Sequence, residues 1–315
     1  MKKAFLILSC FSYLSGYAQK IEKFYDYNWK RCDPSLARYF SLIEFKDSLW
    51  HRSDYYIRER KLQMQGAYRD SSSKTEEGLF RHYHANGRLQ AEGKYVNGKK
   101  QGIWLRYYNS GMMHDSVFYV NGQPSGTALG WYPNGNPKDS SAYKDDGTAV
   151  KIEWFDNGNP SSAGRTKNEK LHGRWAFYHK NGNISARETY DQGILTTREY
   201  FDEEGKLKPD TSNRDRPARF KGGHEAWGKH LLSKLYFPNQ YRITGADKIV
   251  IVISAIIDEE GKVTDAEIYS SFHPDLDEIA LKAVKSSPKW DPSVSHNRNV
   301  KYYIRQPVTF SQEIQ

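Results

Sequence analysis

The sequence predicts a mainly β protein with a C-terminal α+β domain: an antiparallel β-hairpin repeat array followed by a smaller unit of order αββαβ. Three observations carry this. The chain is polar but rich in aromatics and glycine, with a mean hydropathy of −0.84 and 23 Tyr, 8 Trp and 24 Gly among 315 residues. Disordered chains are poor in aromatics, so this composition points to many short strands and tight turns. A period of 23–24 residues runs through the middle of the chain, and helix-period patterning begins only after residue 219.

Residues 1–18 read as a cleavable export signal. Lys2 and Lys3 precede an apolar stretch over 4–14, and Gly16 and Ala18 place small residues at the −3 and −1 positions before Gln19. The apolar run is shorter than the ~20 residues a membrane helix needs, and no later stretch comes close, so no transmembrane helix is expected after cleavage. Lipidation at Cys10 is a rival reading, and retention as a short anchor is another. Cleavage leaves Cys32 as the sole thiol, which excludes an internal disulfide and points to a structural role. The formal charge of +9 falls to +7 without Lys2 and Lys3 (9 − 2). The basic residues alternate with acidic ones and form no run, so nucleic acid is not an expected partner.

Residues 19–49 are expected to supply one or two capping strands, because an open sheet end must be covered. The repeats occupy residues 50–207. Gly87, Gly111, Gly135, Gly158, Gly182 and Gly205 recur at spacings of 24, 24, 23, 24 and 23. Four residues before each stands an aromatic: Tyr83, Tyr107, Trp131, Trp154, Tyr178 and Phe201. Eight residues after most of them comes Tyr95, Tyr119, Tyr143 or Tyr190, while the fourth unit has Thr166 there. A second turn glycine follows at Gly98, Gly122, Gly147 and Gly193. Asn86-Gly87 and Asn97-Gly98 are both expected to form type I′ hairpin turns, which need φ > 0 at both central positions. The intervening aromatic and β-branched stretches suit strands. Each unit is then two antiparallel strands, and successive units continue one meander of about twelve strands and about 55–60 Å. Single hairpins are unstable alone, so stacked neighbours supply the core. Residues 50–77 form a degenerate first unit.

The pattern Gly102-x-Trp104-x-x-Tyr107-Tyr108-x-x-Gly111, with Gly93-x-Tyr95-x-Asn97-Gly98 before it, resembles MORN-type repeats. It is closest to a bacterial variant found in proteins labelled as an antitoxin family. That resemblance implies a fold and says little about function. His82 and His84 would share a strand face and could begin a metal site, but no third ligand recurs, so no metal is expected. Trp104, Trp131, Trp154 and Trp175 are expected to stack in the core more than to form a ligand platform.

Residues 208–218, with Pro209 and Pro217, read as a linker. Beyond it, Trp227, Leu231, Leu232 and Leu235 line one helical face, and residues 248–257 form a β-branched run. Residues 258–261 form a turn and residues 262–269 a second strand. Leu276, Ile279, Ala280, Ala283 and Val284 mark a second helix, and residues 299–310 a last strand. Residues 219–311 resemble the C-terminal domain of TonB energy transducers, in the form common in Bacteroidetes-type proteins. The carrying residues are Phe220-Lys221-Gly222-Gly223, Phe237-Pro238, Asp258-Glu259-Glu260-Gly261-Lys262-Val263-Thr264-Asp265, Leu276-Asp277, Ser287-Pro288-Lys289-Trp290 and Gln306-Pro307-Val308-Thr309-Phe310. The stretch Ser295-His296-Asn297-Arg298-Asn299 departs from the pattern, which has a Gly-containing turn there.

The resemblance implies a domain at 219–315 that binds an extended segment of a TonB-dependent outer-membrane receptor by strand addition. It places the docking edge at Lys301, Tyr302, Tyr303, Ile304 and Arg305, and the protein in the periplasm or cell envelope of a Gram-negative bacterium. Family transducers carry a membrane helix and a Pro-rich spacer where this chain has a short signal and repeats. The expectation is therefore a protein-binding adaptor linked to TonB-dependent transport; the alternatives are a membrane-anchored energy transducer and an antitoxin-like repeat binder. No nucleophile elbow, phosphate loop, HExxH or Cys-His cluster is present, so neither an enzyme nor a cofactor is expected.

Overall fold

A computed structural model describes residues 20–243 and 246–311. The export signal read at 1–18, including Cys10, lies outside the described residues. The first strands are β1 (Lys20–Tyr25), β2 (Tyr39–Lys46), β3 (Leu49–Tyr56) and β4 (Lys61–Tyr68). The repeats follow as β5 (Glu76–Tyr83), β6 (Leu89–Val96), β7 (Lys99–Tyr107), β8 (Met113–Val120), the two-residue β9 (Gln123–Pro124), β10 (Gly126–Trp131) and β11 (Pro137–Tyr143). They continue as β12 (Thr148–Trp154), β13 (Pro160–Lys167), β14 (Lys170–Tyr178), β15 (Ile184–Asp191), β16 (Ile194–Phe201) and the short β17 (Leu207–Lys208). Apart from β9, each pairs antiparallel with the next, and β8 pairs with both β9 and β10 to carry the meander past the short strand. The sheet has 17 strands, so β1–β4 extend the repeat meander rather than forming a separate layer.

The two hairpin turns at Asn86-Gly87 and Asn97-Gly98 differ, which corrects the expectation of a type I′ turn at both. Asn97 (φ 49°) and Gly98 (φ 73°) are both left-handed, as type I′ demands. At Asn86-Gly87 only Gly87 is left-handed (φ 86°), and the loop closes through His84 N to the Arg88 carbonyl and Gly87 N to the His84 carbonyl. This is a longer loop with one αL glycine. The reason is side-chain work: Asn86 accepts from Arg88 N while its amide donates to the carbonyl of Asn109 in the next unit. Asn134, Asn157 and Asn181 repeat this reach, to the carbonyls of Asp156, Lys180 and Glu203. The turn tips are thus stitched into an asparagine ladder.

A second ladder runs one step inward. In most units the ring after the strand-end aromatic donates to a strand-end carbonyl of the following unit. Tyr56 OH donates to Tyr83, His84 Nε2 to Tyr107, Tyr108 OH to Trp131, Tyr132 OH to Trp154 and His179 Nε2 to Phe201, all at 2.8–3.1 Å. This binds His84 within the fold and takes it out of β5, so it does not pair with His82 as a metal site.

Most buried aromatics of the array fall into two clusters. One joins Met64, Tyr68, Phe80 and Trp104, the other Trp175, Phe177, Ala186, Tyr190 and Tyr200. Trp104 and Trp175 are 6% and 5% exposed, whereas Trp131 and Trp154 are half-buried. The buried pair needs glycine opposite: a Cβ on Gly93 would lie 2.2 Å from the Trp104 ring, and one on Gly164 2.2 Å from Trp175. Between the clusters the column shrinks to Ala128, and the interior turns polar around the buried Asp115 and Ser141 and the half-buried Asp139. The aromatic columns are therefore interrupted rather than continuous.

The C-terminal domain contains α1 (Gly223–Leu232), β18 (Lys248–Ile257), β19 (Val263–Ser270), α2 (Pro274–Lys285), β20 (Ser293–Ser295), β21 (Arg298–Val300) and β22 (Tyr302–Ser311). Its main sheet has the order β19-β18-β22. One face carries Ile249, Ile251, Ile253, Ala255, Val308 and Phe310, which pack with Trp227, Leu231 and the apolar stripe of α2. The stretch read as the start of the last strand forms a separate hairpin, β20–β21, turning through left-handed His296 (φ 52°) and Asn297 (φ 64°). The end of the 208–218 segment is strapped to that hairpin by Arg216, which pairs with Val294, and just beyond it Arg219 pairs with Asp291, ahead of β20.

Candidate docking edge and the domain junction

β22 is an outer strand, and two observations show which of its backbone groups face outward. In an antiparallel pair a residue points both its N–H and its C=O to the same side. Pro307 lacks an N–H, so it is tolerated where that position faces the open edge. Independently, the Val250 carbonyl points towards the β19 side, where it accepts from Arg38 Nη2 at 3.2 Å just past the end of β19. Its cross-strand partner Thr309 therefore points away from β18. The register has no shift along this pair, so Tyr303, Arg305, Pro307 and Thr309 present their backbone to the open edge. Tyr302, Ile304, Gln306, Val308 and Phe310 bond to β18.

This divides the five edge residues. Ile304 packs against the core and Tyr302 is half-buried. Tyr303 is 73% exposed, and Arg305 lies over the Tyr269 ring at 4.0 Å. Lys301 precedes β22 and bonds Asp156 of the array at 2.9 Å. Burial opposes the charge on Lys301, but the bond and charge of Asp156 raise its pKa, while the bond from Lys301 lowers that of Asp156. The edge open to a partner is thus centred on Tyr303 and Arg305.

The hairpin departing from the family pattern is where the two domains join. Arg298 reaches the array and donates to the carbonyls of Ser161 (2.6 Å) and Tyr178, with its guanidinium over Phe155 at 5.1 Å. Burial lowers its pKa to about 10, so it stays charged at neutral pH. Its position has a reason in the repeats. In the ring ladder His84, Tyr108, Tyr132, Phe155, His179, only Phe155 has no donor, and the Tyr178 carbonyl it would serve is the one Arg298 takes. Beside it, Asn297 donates to the carbonyls of Ser185 and Phe201 at 3.2 and 2.8 Å. His296 stacks on Phe177 at 3.5 Å and donates Nδ1–H to Glu188 at 2.7 Å. Burial works against the Glu188 carboxylate, but His296 and Tyr190 overcome it and hold the pKa below the ordinary value. The sequence marks 295–299 as a departure from the family pattern but not as a contact with the array; the lone apolar ring at 155 was the available signal.

Residues 233–311 match the family described as Gram-negative bacterial TonB protein C-terminal, and residues 76–97 and 171–192 match the MORN repeat variant. No curated protein matches the chain. The first match implies a Gram-negative envelope protein with a TonB-like role in transport or protein interaction. Among the described residues, no helix is long and apolar enough to cross a membrane, and no group of three or more His, Cys, Asp or Glu could hold a metal ion.

Proposed function

We propose that this protein is an exported, non-enzymatic adaptor of the periplasm or cell envelope, and that its C-terminal domain docks an extended segment of a partner by strand addition to β22. The partner class is a TonB-dependent outer-membrane receptor. The observation that carries the reading is the outward-facing backbone of Tyr303 and Arg305 on an outer strand. An added strand would draw affinity from these main-chain groups and selectivity from the flanking side chains. Pro307 offers no donor, which confines the best docking register to residues 303–305.

The test is in-cell photo-crosslinking from position 303, with Arg305→Pro as the control. Adducts with the periplasmic segment of an outer-membrane receptor, lost at least tenfold in the Arg305→Pro variant, are expected. Adducts unaffected by Arg305→Pro, or confined to the chain itself, would rule the docking edge out.

A further inference from the structure

Consecutive strand residues point to opposite faces of a sheet, and directly paired residues share one face. One face of the array carries Trp104, Trp175 and Phe177, and the C-terminal domain docks there, with His296 stacked on Phe177. On the other face, large apolar side chains stand in solvent across β7–β12: Ile103 (61% exposed), Phe118, Leu129, Val150 and Ile152. Scattered exposed apolar residues are ordinary, but these are contiguous. Ile103 pairs with Phe118, and Leu129 and Ile152 flank Ser140 on its two neighbouring strands.

On this face the pairing defines a row of side chains that crosses the sheet from β5 to β16. It starts with the ion pair Arg81–Glu92 (3.3 Å) and ends with the ion pair Arg187–Glu199 (3.7 Å). Every residue between them is neutral. Leu105, Ser116 and Leu129 lead to Ser140, and Ile152, Ala163 and Ala176 lead away from it. Ser140 is the midpoint of the row. Reversing the row about Ser140 sets Arg81 against Glu199 and Glu92 against Arg187. It also sets Leu129 against Ile152, Leu105 against Ala176 and Ser116 against Ala163. The face is therefore complementary to itself in charge and in apolar character. A two-fold axis along β11 performs this reversal, and it carries the saddle of a twisted sheet onto itself, so two copies stay in contact along the row. An axis along the row would instead set Arg81 on Arg81 and Glu92 on Glu92. Counting two side-chain rows, the face measures about 48 by 14 Å. Covering it in both copies buries roughly 1,300 Å² in total, within the range of specific interfaces.

We propose that this face docks a second copy of the chain, giving an isologous dimer whose axis passes by Ser140. Leu129 and Ile152 form its apolar centre. Arg81 with Glu199, and Glu92 with Arg187, form ion pairs between copies at its two ends. The C-terminal domain lies on the opposite face of each sheet, outside the interface.

Sedimentation velocity of the full chain over a concentration series tests this, with circular dichroism as the check on folding. A reversible dimer is expected. Leu129→Glu, at a position already exposed, should weaken dimerisation at least tenfold. Arg187→Glu should also weaken it, by at least threefold, because it faces Glu92 of the other copy. Mixing the Arg187→Glu and Glu92→Arg variants should recover dimers, since each mixed pair regains the opposite charges. Face-to-face sheets lie about 10 Å apart, so Ser140→Cys in a Cys32→Ser background should cross-link to its own copy through a short bismaleimide. A monomer at every concentration, or a dimer unaffected by Leu129→Glu in a folded variant, would overturn the proposal. No recovery on mixing, together with no cross-link at position 140, would overturn the axis.

Discussion

Ile251, Ile253 and Ala280 of the C-terminal domain are fully buried in one cluster fed by two helices and three strands. The array, about twice as long, gathers most of its buried aromatics in the neighbourhoods of Trp104 and Trp175 and runs polar between them. What holds it together along its length is repeated hydrogen bonding: asparagine tips and ring donors, each reaching one unit ahead. The domain is stabilised as a whole and the array link by link, as expected when each unit touches only its neighbours. The junction follows from this difference, because Arg298 docks at Phe155, where a link is missing.

The sharpest way to break this comparison is core truncation. Trp175→Ala should cost about 3–5 kcal/mol, with hydrogen-exchange protection lost across β13–β16 and kept in β5–β7. Ile251→Ala should cost about 2–5 kcal/mol and lower protection throughout β18, β22 and α2 together. Uniform loss across the array after Trp175→Ala would contradict link-by-link stability.

Next in size is the junction. Arg298→Met strands two carbonyls, and hydrogen bonds to charged groups contribute about 1.5–3 kcal/mol each. A loss of about 3 kcal/mol in denaturant unfolding and faster proteolysis within residues 208–218 are expected. Phe155→Tyr in that background should recover about 1 kcal/mol by restoring a neutral donor to the ladder; no recovery would mean that Arg298 does not stand in for a missing ring donor.

Smaller again is Gly164→Ala, which forces a Cβ into the Trp175 ring and should cost about 1–3 kcal/mol. Gly158→Ala, where φ is 86° and nothing lies within 4 Å, should cost about 1–2 kcal/mol from backbone strain alone. Equal melting temperatures for the two would show that ring contact adds nothing.

The smallest effect is in pH. The Glu188 pKa is held below its ordinary 4.5, so its contribution is present above that value and lost as pH falls through the lower folded value. Urea midpoints should therefore drop on acidification below 4.5, and less steeply in His296→Ala. An unchanged slope in that variant would remove His296 from the account.

Much of the fold was legible because it depends on local rules. Asn97-Gly98 encodes its own turn, the stripe from Leu276 to Val284 its own helix, and Pro307 is compatible only with an outer strand position. The edge residues Tyr303 and Arg305 were legible through the family pattern, but their division from Tyr302 and Ile304 needed the β18 register. The asparagine column was visible as spacing, yet its purpose was not, because a turn asparagine explains itself locally and hides its reach to the next unit.

Sequence alone determined the repeat period, the strand and helix segments and the resemblance of both regions to known families, since these rest on side-chain alternation and turn chemistry within a few residues. Tertiary structure decided that Arg298 completes the ladder at Phe155, that Lys301 is tied to Asp156, and that Arg38 is buried between the array and the C-terminal domain. Each of these joins residues more than a hundred positions apart or depends on burial, and neither distance in space nor loss of water is written in the order of residues.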